Sequence, residues 1–242
     1  MVDFDRAARD YEEGLDSCLR FAGEGSRALV EHKIELLARF WRERALPPAG
    51  ALLDLGCGIG RSLAFVLKHL PGVQYTGADP SAESIRIARG QPGSLEGARF
   101  FVQDGTRLEL ETGSFDVVFA ANVLHHVPLS ERGAFYAEAR RVLRPGGFFF
   151  VVEHNPWNPL TQWIVQSCPL DDDARLLQPH DLAAALRRAG FGRPRRGYVL
   201  FAPRTVRERL PWLEERLAGL ALGAQYWLAA PRPRVAPAGG EG

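Results

Sequence analysis

A chain of 242 residues, 46% apolar and 24% charged, can hold one α/β domain with a substantial core, or at most two small ones. Its formal net charge of +1 leaves no basic footprint for long nucleic acid, and no run reaches the roughly 18 apolar residues that a membrane span needs. Cys18, Cys57 and Cys168 show no C-x-x-C spacing, so neither a disulfide framework nor a zinc site is expected, and the acidic start Val2-Asp3-Phe4-Asp5 argues against a secretory leader; a reduced, cytoplasmic protein is the expectation.

The first 46 residues read as helical, with Phe21, Leu29, Ile34, Leu37 and Phe40 at mixed three-to-four spacing, and Pro47-Pro48-Ala49-Gly50 ends the pattern. Leu52 to Leu55 is an apolar run too short for a helix and reads as a buried parallel strand carrying Asp54. Gly56, Gly58 and Gly60 follow at alternate positions, which suits a tight turn that a ligand approaches closely; the helix beginning near Gly60 aims free N–H groups at it. A dinucleotide fingerprint would place a third glycine where Arg61 stands. A second strand, Val73 to Asp79, ends in an acid suited to the hydroxyls of an adenosine ribose, whether in NAD or in another adenosine cofactor. Pro80 and Ser81 then open a helix. A third strand closes on Asp104-Gly105, and a fourth, Phe115 to Ala121, runs into Asn122-Val123-Leu124-His125-His126. A helix ending at Leu143 and the turn Arg144-Pro145-Gly146-Gly147 lead to a fifth strand, Phe148 to Glu153, followed by His154.

Beyond it, the two Asn-Pro steps in Asn155-Pro156-Trp157-Asn158-Pro159 are expected to force a loop. A helix is expected from Pro179 to Ala189, a strand at Tyr198–Phe201, one Arg/Leu/Glu-rich helix near Val206–Leu217 and a last strand at Ala224–Ala229. Residues 231–242 carry no periodicity and read as a disordered tail. The division expected is therefore 1–46 as a helical cap, 47–154 as a cofactor-binding half, 155–230 as an acceptor-side half of the same domain, and the tail.

The Asp-Leu-Gly-x-Gly-x-Gly loop, the acids Asp79 and Asp104, the Phe-Asp-Val-Val to Leu-His-His strand and the Leu-Arg-Pro-Gly-Gly turn stand in order over Ala51–Glu153. Together they resemble class I S-adenosylmethionine-dependent methyltransferases of the small-molecule type. The resemblance implies an α/β fold: a doubly wound, mostly parallel seven-stranded sheet with one antiparallel strand, helices on both faces and an N-terminal helical lid. It implies S-adenosyl-L-methionine as cofactor and S-adenosyl-L-homocysteine as product. In that frame Asp54, Gly56, Gly58 and Gly60 line the methionine arm, Asp79 with Pro80 meets the ribose, and Asp104 with Gly105 meets the adenine. Ala121 and Asn122 lie beside the ammonium or the methyl group, and Tyr11 of the cap covers the cofactor.

Methyl transfer by in-line displacement needs a base only where the acceptor keeps its proton, and His154, His125 and His126, with Glu153, stand at strand C-termini where doubly wound folds place their sites. No metal site is expected, because adjacent His125 and His126 point apart in an extended segment and no carboxylate pair stands near. Arg61 and Lys33 read either as surface residues or as cofactor and pocket residues. The stretch 175–216 carries ten arginines against four acids, which suits an anionic or amphipathic small-molecule acceptor or an ordinary solvated surface. Nucleic-acid amino-methyltransferases carry an Asp/Asn-Pro-Pro-aromatic motif where this chain has Ala121-Asn122-Val123-Leu124, so no nucleic-acid partner is expected. Two rivals stand beside this reading: an NAD-dependent oxidoreductase, and a catalytically silent S-adenosylmethionine-binding regulator.

Overall fold

The computed structural model describes residues 25–94, 97–168, 171, 174–202 and 204–234. Their elements are α1 (Ser26–Glu43), β1 (Ala51–Leu55), α2 (Leu63–His69), β2 (Gln74–Asp79), α3 (Ala82–Arg89), β3 (Arg99–Val102), β4 (Phe115–Ala121), α4 (Arg132–Val142), β5 (Leu143–His154), α5 (Pro159–Ser167), α6 (Pro179–Arg188), β6 (Arg195–Val199), α7 (Arg204–Arg209), α8 (Pro211–Leu217) and β7 (Gln225–Pro231). The strands form one seven-stranded sheet in the order β3-β2-β1-β4-β5-β7-β6. Neighbours from β3 to β5 are parallel, and β7 runs antiparallel to both β5 and β6. The expected architecture, with its single antiparallel strand, is the one observed.

Alternation along each strand explains how one sheet holds two cores. Leu53, Val118 and Phe149 face one layer, with Phe135 and Ala139 of α4 and Leu182 and Leu186 of α6. Their chain neighbours Leu52, Val117 and Phe150 face the other, with Ile34, Leu37 and Phe40 of α1 and Val66 of α2. Phe40 anchors α1 to that layer: its ring lies 5.0 Å from that of Phe150 and meets Phe148 edge-on at 5.1 Å, while Phe150 stacks on Trp227 at 5.6 Å. Strand order reverses between β1 and β4, and the crevice outside their C-terminal ends is where such sheets bind ligands.

Three expectations past β5 need correction. The second Asn-Pro step starts a helix rather than blocking one: the Asn158 side chain caps α5 by accepting the Thr161 N–H, and Pro159 takes the first helical position, where a missing N–H loses nothing. Strand β6 ends two residues before Phe201, because Leu200 adopts φ +63, outside the extended region. The helix expected over 206–217 is two helices, since Pro211 holds Leu210 non-helical at φ −132 and ψ 59. Spacing rules are also blind to cysteines joined by tertiary folding: Cys57 is free and buried, but Cys168 is disulfide-bonded. Among the described residues, no helix is long and apolar enough to cross a membrane.

Candidate active site

At the end of β1 the backbone turns through Gly56 at φ +84, and the Gly56 and Cys57 N–H groups donate to Ala78 O at 2.7 and 3.1 Å, pinning the loop to β2. A Cβ at Gly56 would stand 2.4 Å from Val123 Cγ2, so this glycine lets the loop following β4 pack close. Gly58, at φ +52, is different. A Cβ there would meet nothing within 4 Å, because the position faces open cavity. Asp79 fixes the loop from β2, with Oδ2 accepting the Gly58 N–H at 2.8 Å and Oδ1 accepting the Ser81 N–H at 3.0 Å.

Beneath the loop lies Asp54, 4% exposed. Its Oδ2 accepts from the hydroxyls of Ser62 and of Tyr75, the latter at 2.6 Å. Burial, and secondarily the charge of Asp79, outweigh those hydrogen bonds and lift its pKa to about 6.

Across the crevice the end of β4 is organised by a single carboxylate. Glu153 of β5 is 1% exposed; its Oε1 accepts the N–H groups of Val123 and Leu124 at 3.1 and 2.7 Å, and its Oε2 lies 2.6 Å from His125 Nδ1. His125 Nε2 then faces Asp171 Oδ1 at 3.4 Å, and His126 Nε2 faces the same oxygen at 3.5 Å. His154, whose ring centroid lies 5.2 Å from that of His125, is 3.1 Å from the Asn122 side-chain nitrogen, and Gln225 of β7 donates to Asn122 Oδ1 at 3.2 Å. Burial alone would lower the pKa of His125, but Glu153 and Asp171 together raise it to about 9. Burial and the neighbouring His125 hold His154 down at about 4. Desolvation also lowers Lys33, on α1, to about 8.

One cavity gathers Asp54, Gly56, Gly58, Ala121, Asn122, His125, His126 and His154 from the residues singled out in the sequence. The others fall around it or elsewhere. Asp79 reaches it through the Gly58 N–H, with Pro80 exposed beside it, and Gly60 packs against Ala88 and Phe100. Asp104 is exposed; its Oδ1 accepts from Thr106 N, Thr106 Oγ1 and Arg107 N, bonds that hold its pKa low against a larger desolvation effect. A Cβ on Gly105 would strike the Phe135 ring at 2.5 Å, which makes that glycine a packing requirement. Tyr11 lies outside the described residues. Lys33 and Arg61, read both ways above, line the cavity, and Arg61 donates to Ser26 Oγ at 2.6 Å. Asp171, Cys168 and Gln225 also line it and carry no motif that spacing could have flagged.

A doubly wound seven-stranded sheet with a glycine loop at its switch point defines the class I methyltransferase fold. Residues 52–147 match the model of the methyltransferase domain family. Over 145 residues the chain is 31% identical to the 2-methyl-6-phytyl-1,4-hydroquinone methyltransferase of Synechocystis, covering 57% of this chain and 45% of that protein. Over 112 residues it is 33% identical to phthiotriol/phenolphthiotriol dimycocerosates methyltransferase 1 of Mycobacterium ulcerans, covering 46% and 40%. The match thus spans less than half the length of either curated relative. Among solved structures, a SAM-dependent methyltransferase from Thermotoga maritima, described as a possible histamine N-methyltransferase, shares the fold at a TM-score of 0.65 and 21% identity, over 95% of this chain and 97% of that one.

Proposed function

We propose that this protein is an S-adenosylmethionine-dependent methyltransferase acting on a small molecule. The observation that carries the reading is the continuous cavity joining the open face of Gly58 to the histidine cluster at the ends of β4 and β5. The residues present fit the cofactor. Open space stands over Gly58, and the buried carboxyl of Asp54 lines the same cavity on the side assigned to the cationic methionine arm. Asp79 and Asp104 close the ends of β2 and β3, for the ribose hydroxyls and the adenine amine. Asp79 already accepts two backbone N–H groups, and a carboxylate has capacity for further donors.

When bound, S-adenosylmethionine supplies a methyl group on a positively charged sulfur. The chain's part is to hold the acceptor in line, exclude water and receive a proton. In this reading His154, His125 and His126 form the acceptor wall and the acceptor's proton passes to His126 or His154, His125 being held protonated by Glu153 and Asp171, while Ala121 and Asn122 border the methyl group. Leu29, Val30 and Ile164 give the cavity an apolar side, which suits an acceptor with an apolar body and a hydroxyl-bearing head. The two curated relatives are named for acceptors of that kind, a hydroquinone and lipid-like triols. With a net charge of +1, the reading includes no nucleic-acid partner.

Calorimetric titration with S-adenosylmethionine, S-adenosylhomocysteine and NAD tests the cofactor, with Asp79→Ala as control. Binding of both sulfur nucleotides, weakened in the variant, supports the reading; binding of NAD alone overturns it. We place the protein in the cytoplasm, on its odd cysteine count without C-x-x-C spacing and its acidic start. The Cys168 disulfide would be reduced there. Lysate quenched in acid, then redissolved in denaturant at neutral pH with a mass-tagged maleimide, should then show Cys168 labelled together with Cys57; a Cys168 that resists labelling opposes that location.

A further inference from the structure

We propose that His125, His154 and Asp171 form a binding site for a divalent transition-metal cation of the zinc type on the acceptor side of the cavity. The inference rests on the methyltransferase reading only for what the cation does, not for whether it binds. The expectation of no metal assumed that His125 and His126 point apart with no carboxylate near. The fold instead brings Asp171 to both imidazoles and His154 in from β5. One potential ligand atom from each of His125, His154 and Asp171 lies within 4.8 Å of the others.

The spacing favours ligation over simple pairing. His125 Nε2 and Asp171 Oδ1 are 3.4 Å apart. That is long against the roughly 2.9–3.0 Å of an N–H···O hydrogen bond. Two donors around a tetrahedral cation, with bonds of about 2.0–2.1 Å, sit about 3.4 Å from each other. The outer contacts agree. Glu153 engages His125 through Nδ1 at 2.6 Å, which turns Nε2 toward Asp171, as a carboxylate behind a metal-ligating histidine does. Glu153 and Asp171 offset the charge of a dication in a largely buried setting. Two imidazoles and a carboxylate suit zinc-like cations, whereas magnesium and calcium favour oxygen-only sites. The other such cluster among the described residues, Glu31, Glu35 and His69, has Glu31 already 2.6 Å from Lys68, and serves as an internal control.

Three protein ligands leave a position open to an acceptor hydroxyl. The cation would draw electron density from that oxygen and ease its proton onto His126. The oxygen lone pair then attacks the sulfonium methyl carbon, the O–C bond forms as the C–S bond breaks, and the sulfur leaves as a neutral thioether. Substrates of this site are therefore hydroxyl compounds, methylated on oxygen.

The test uses the full chain, stripped with chelator and titrated with Co2+ as a visible probe, with zinc stoichiometry measured by mass spectrometry. The expected result is one equivalent of cation and a ligand-field band, with affinity unchanged in His69→Ala. Asp171→Asn and His154→Ala should lower affinity by more than about tenfold, and Glu153→Gln by roughly 10–100-fold. Absence of the band, its survival in Asp171→Asn, or its loss in His69→Ala overturns the proposal. S-adenosylhomocysteine binding, measured on each preparation, shows that the variants are folded and separates the two readings. Nucleotide binding without cation binding sinks the metal site alone, and cation binding without nucleotide binding sinks the methyltransferase reading alone.

Discussion

Asp54 shows how a single side chain contributes to the pH response of the fold, here against an opposite contribution from His154 over the same range. Its folded pKa of about 6 lies above the usual carboxylate value, so the folded state holds this proton more tightly than the unfolded chain. The stability contributed by this group is therefore greatest below about pH 4 and is lost as pH rises to about 6, by about 3 kcal/mol in all. Asp54→Asn keeps an oxygen for Ser62 and Tyr75, and should remove this contribution and stabilise the protein at pH 7, as read from the difference between variant and parent urea midpoints from pH 4 to 7. Gly58 makes a second residue-scale prediction. Gly58→Ala meets no atom but must hold φ +52, at a cost of about 1–2 kcal/mol. Its methyl would enter the cavity, so the variant should fold with a slightly lowered thermal midpoint and lose most of its S-adenosylhomocysteine affinity by calorimetry. Residues of this kind were legible in the sequence because the glycine loop and the His125-His126 pair are local patterns. Asp171 was not, because its meeting with two histidines depends on how a distant loop folds back.

At the scale of elements, α1 and α5 carry the clearest tests. Phe40 fixes α1 against Phe148 and Phe150, so Phe40→Ala should destabilise by roughly 3–5 kcal/mol in denaturant unfolding. Lys33, on the same helix, would lose its place in the cavity wall, so nucleotide or acceptor affinity should fall in parallel. In α5, Asn158 both caps the helix and donates to Leu222 O at 2.7 Å, so Asn158→Ala should cost about 1–2 kcal/mol, in the upper part of the range for a cap. The first four strands were readable because each is a short apolar run closing on an acid, a glycine or Asn122; β5 was readable only in part, since it begins at Leu143, where a helix end is expected, and takes in the expected turn 144–147. The elements after β5 were less so. Asn158-Pro159 carries a break and a start in the same letters, Leu200 leaves the strand through its backbone angle, and Pro211 divides what composition alone reads as one helix.

For the molecule as a whole, the sheet order β3-β2-β1-β4-β5-β7-β6 places the glycine loop and the histidine cluster on facing sides of one switch point. Because that crevice lies between parts of one core, a ligand filling it should stabilise the whole fold. S-adenosylhomocysteine at 100 times its Kd should add about 2.7 kcal/mol and raise the thermal midpoint by about 5–10 °C. A shift near zero by scanning calorimetry would mean that the nucleotide binds elsewhere or not at all. The order of the sheet was implied by motifs confined to its first five strands; the part of the chain after β5, expected to form the acceptor side, carries none.

The position of β7 bears on how the protein is made. Lying between β5 and β6, it is the edge that β6 needs, yet it is the later of the two in the chain. During synthesis β6 therefore emerges with no partner to pair with, and the sheet closes only when Gln225–Pro231 has left the ribosome. Gln225 arrives with that strand and completes the amide link to Asn122 and His154. The glycine loop can form early on β1 and β2, but the histidine side of the cavity is finished last, so under the function proposed above a nascent chain acquires its nucleotide cradle before it acquires anywhere to put a substrate.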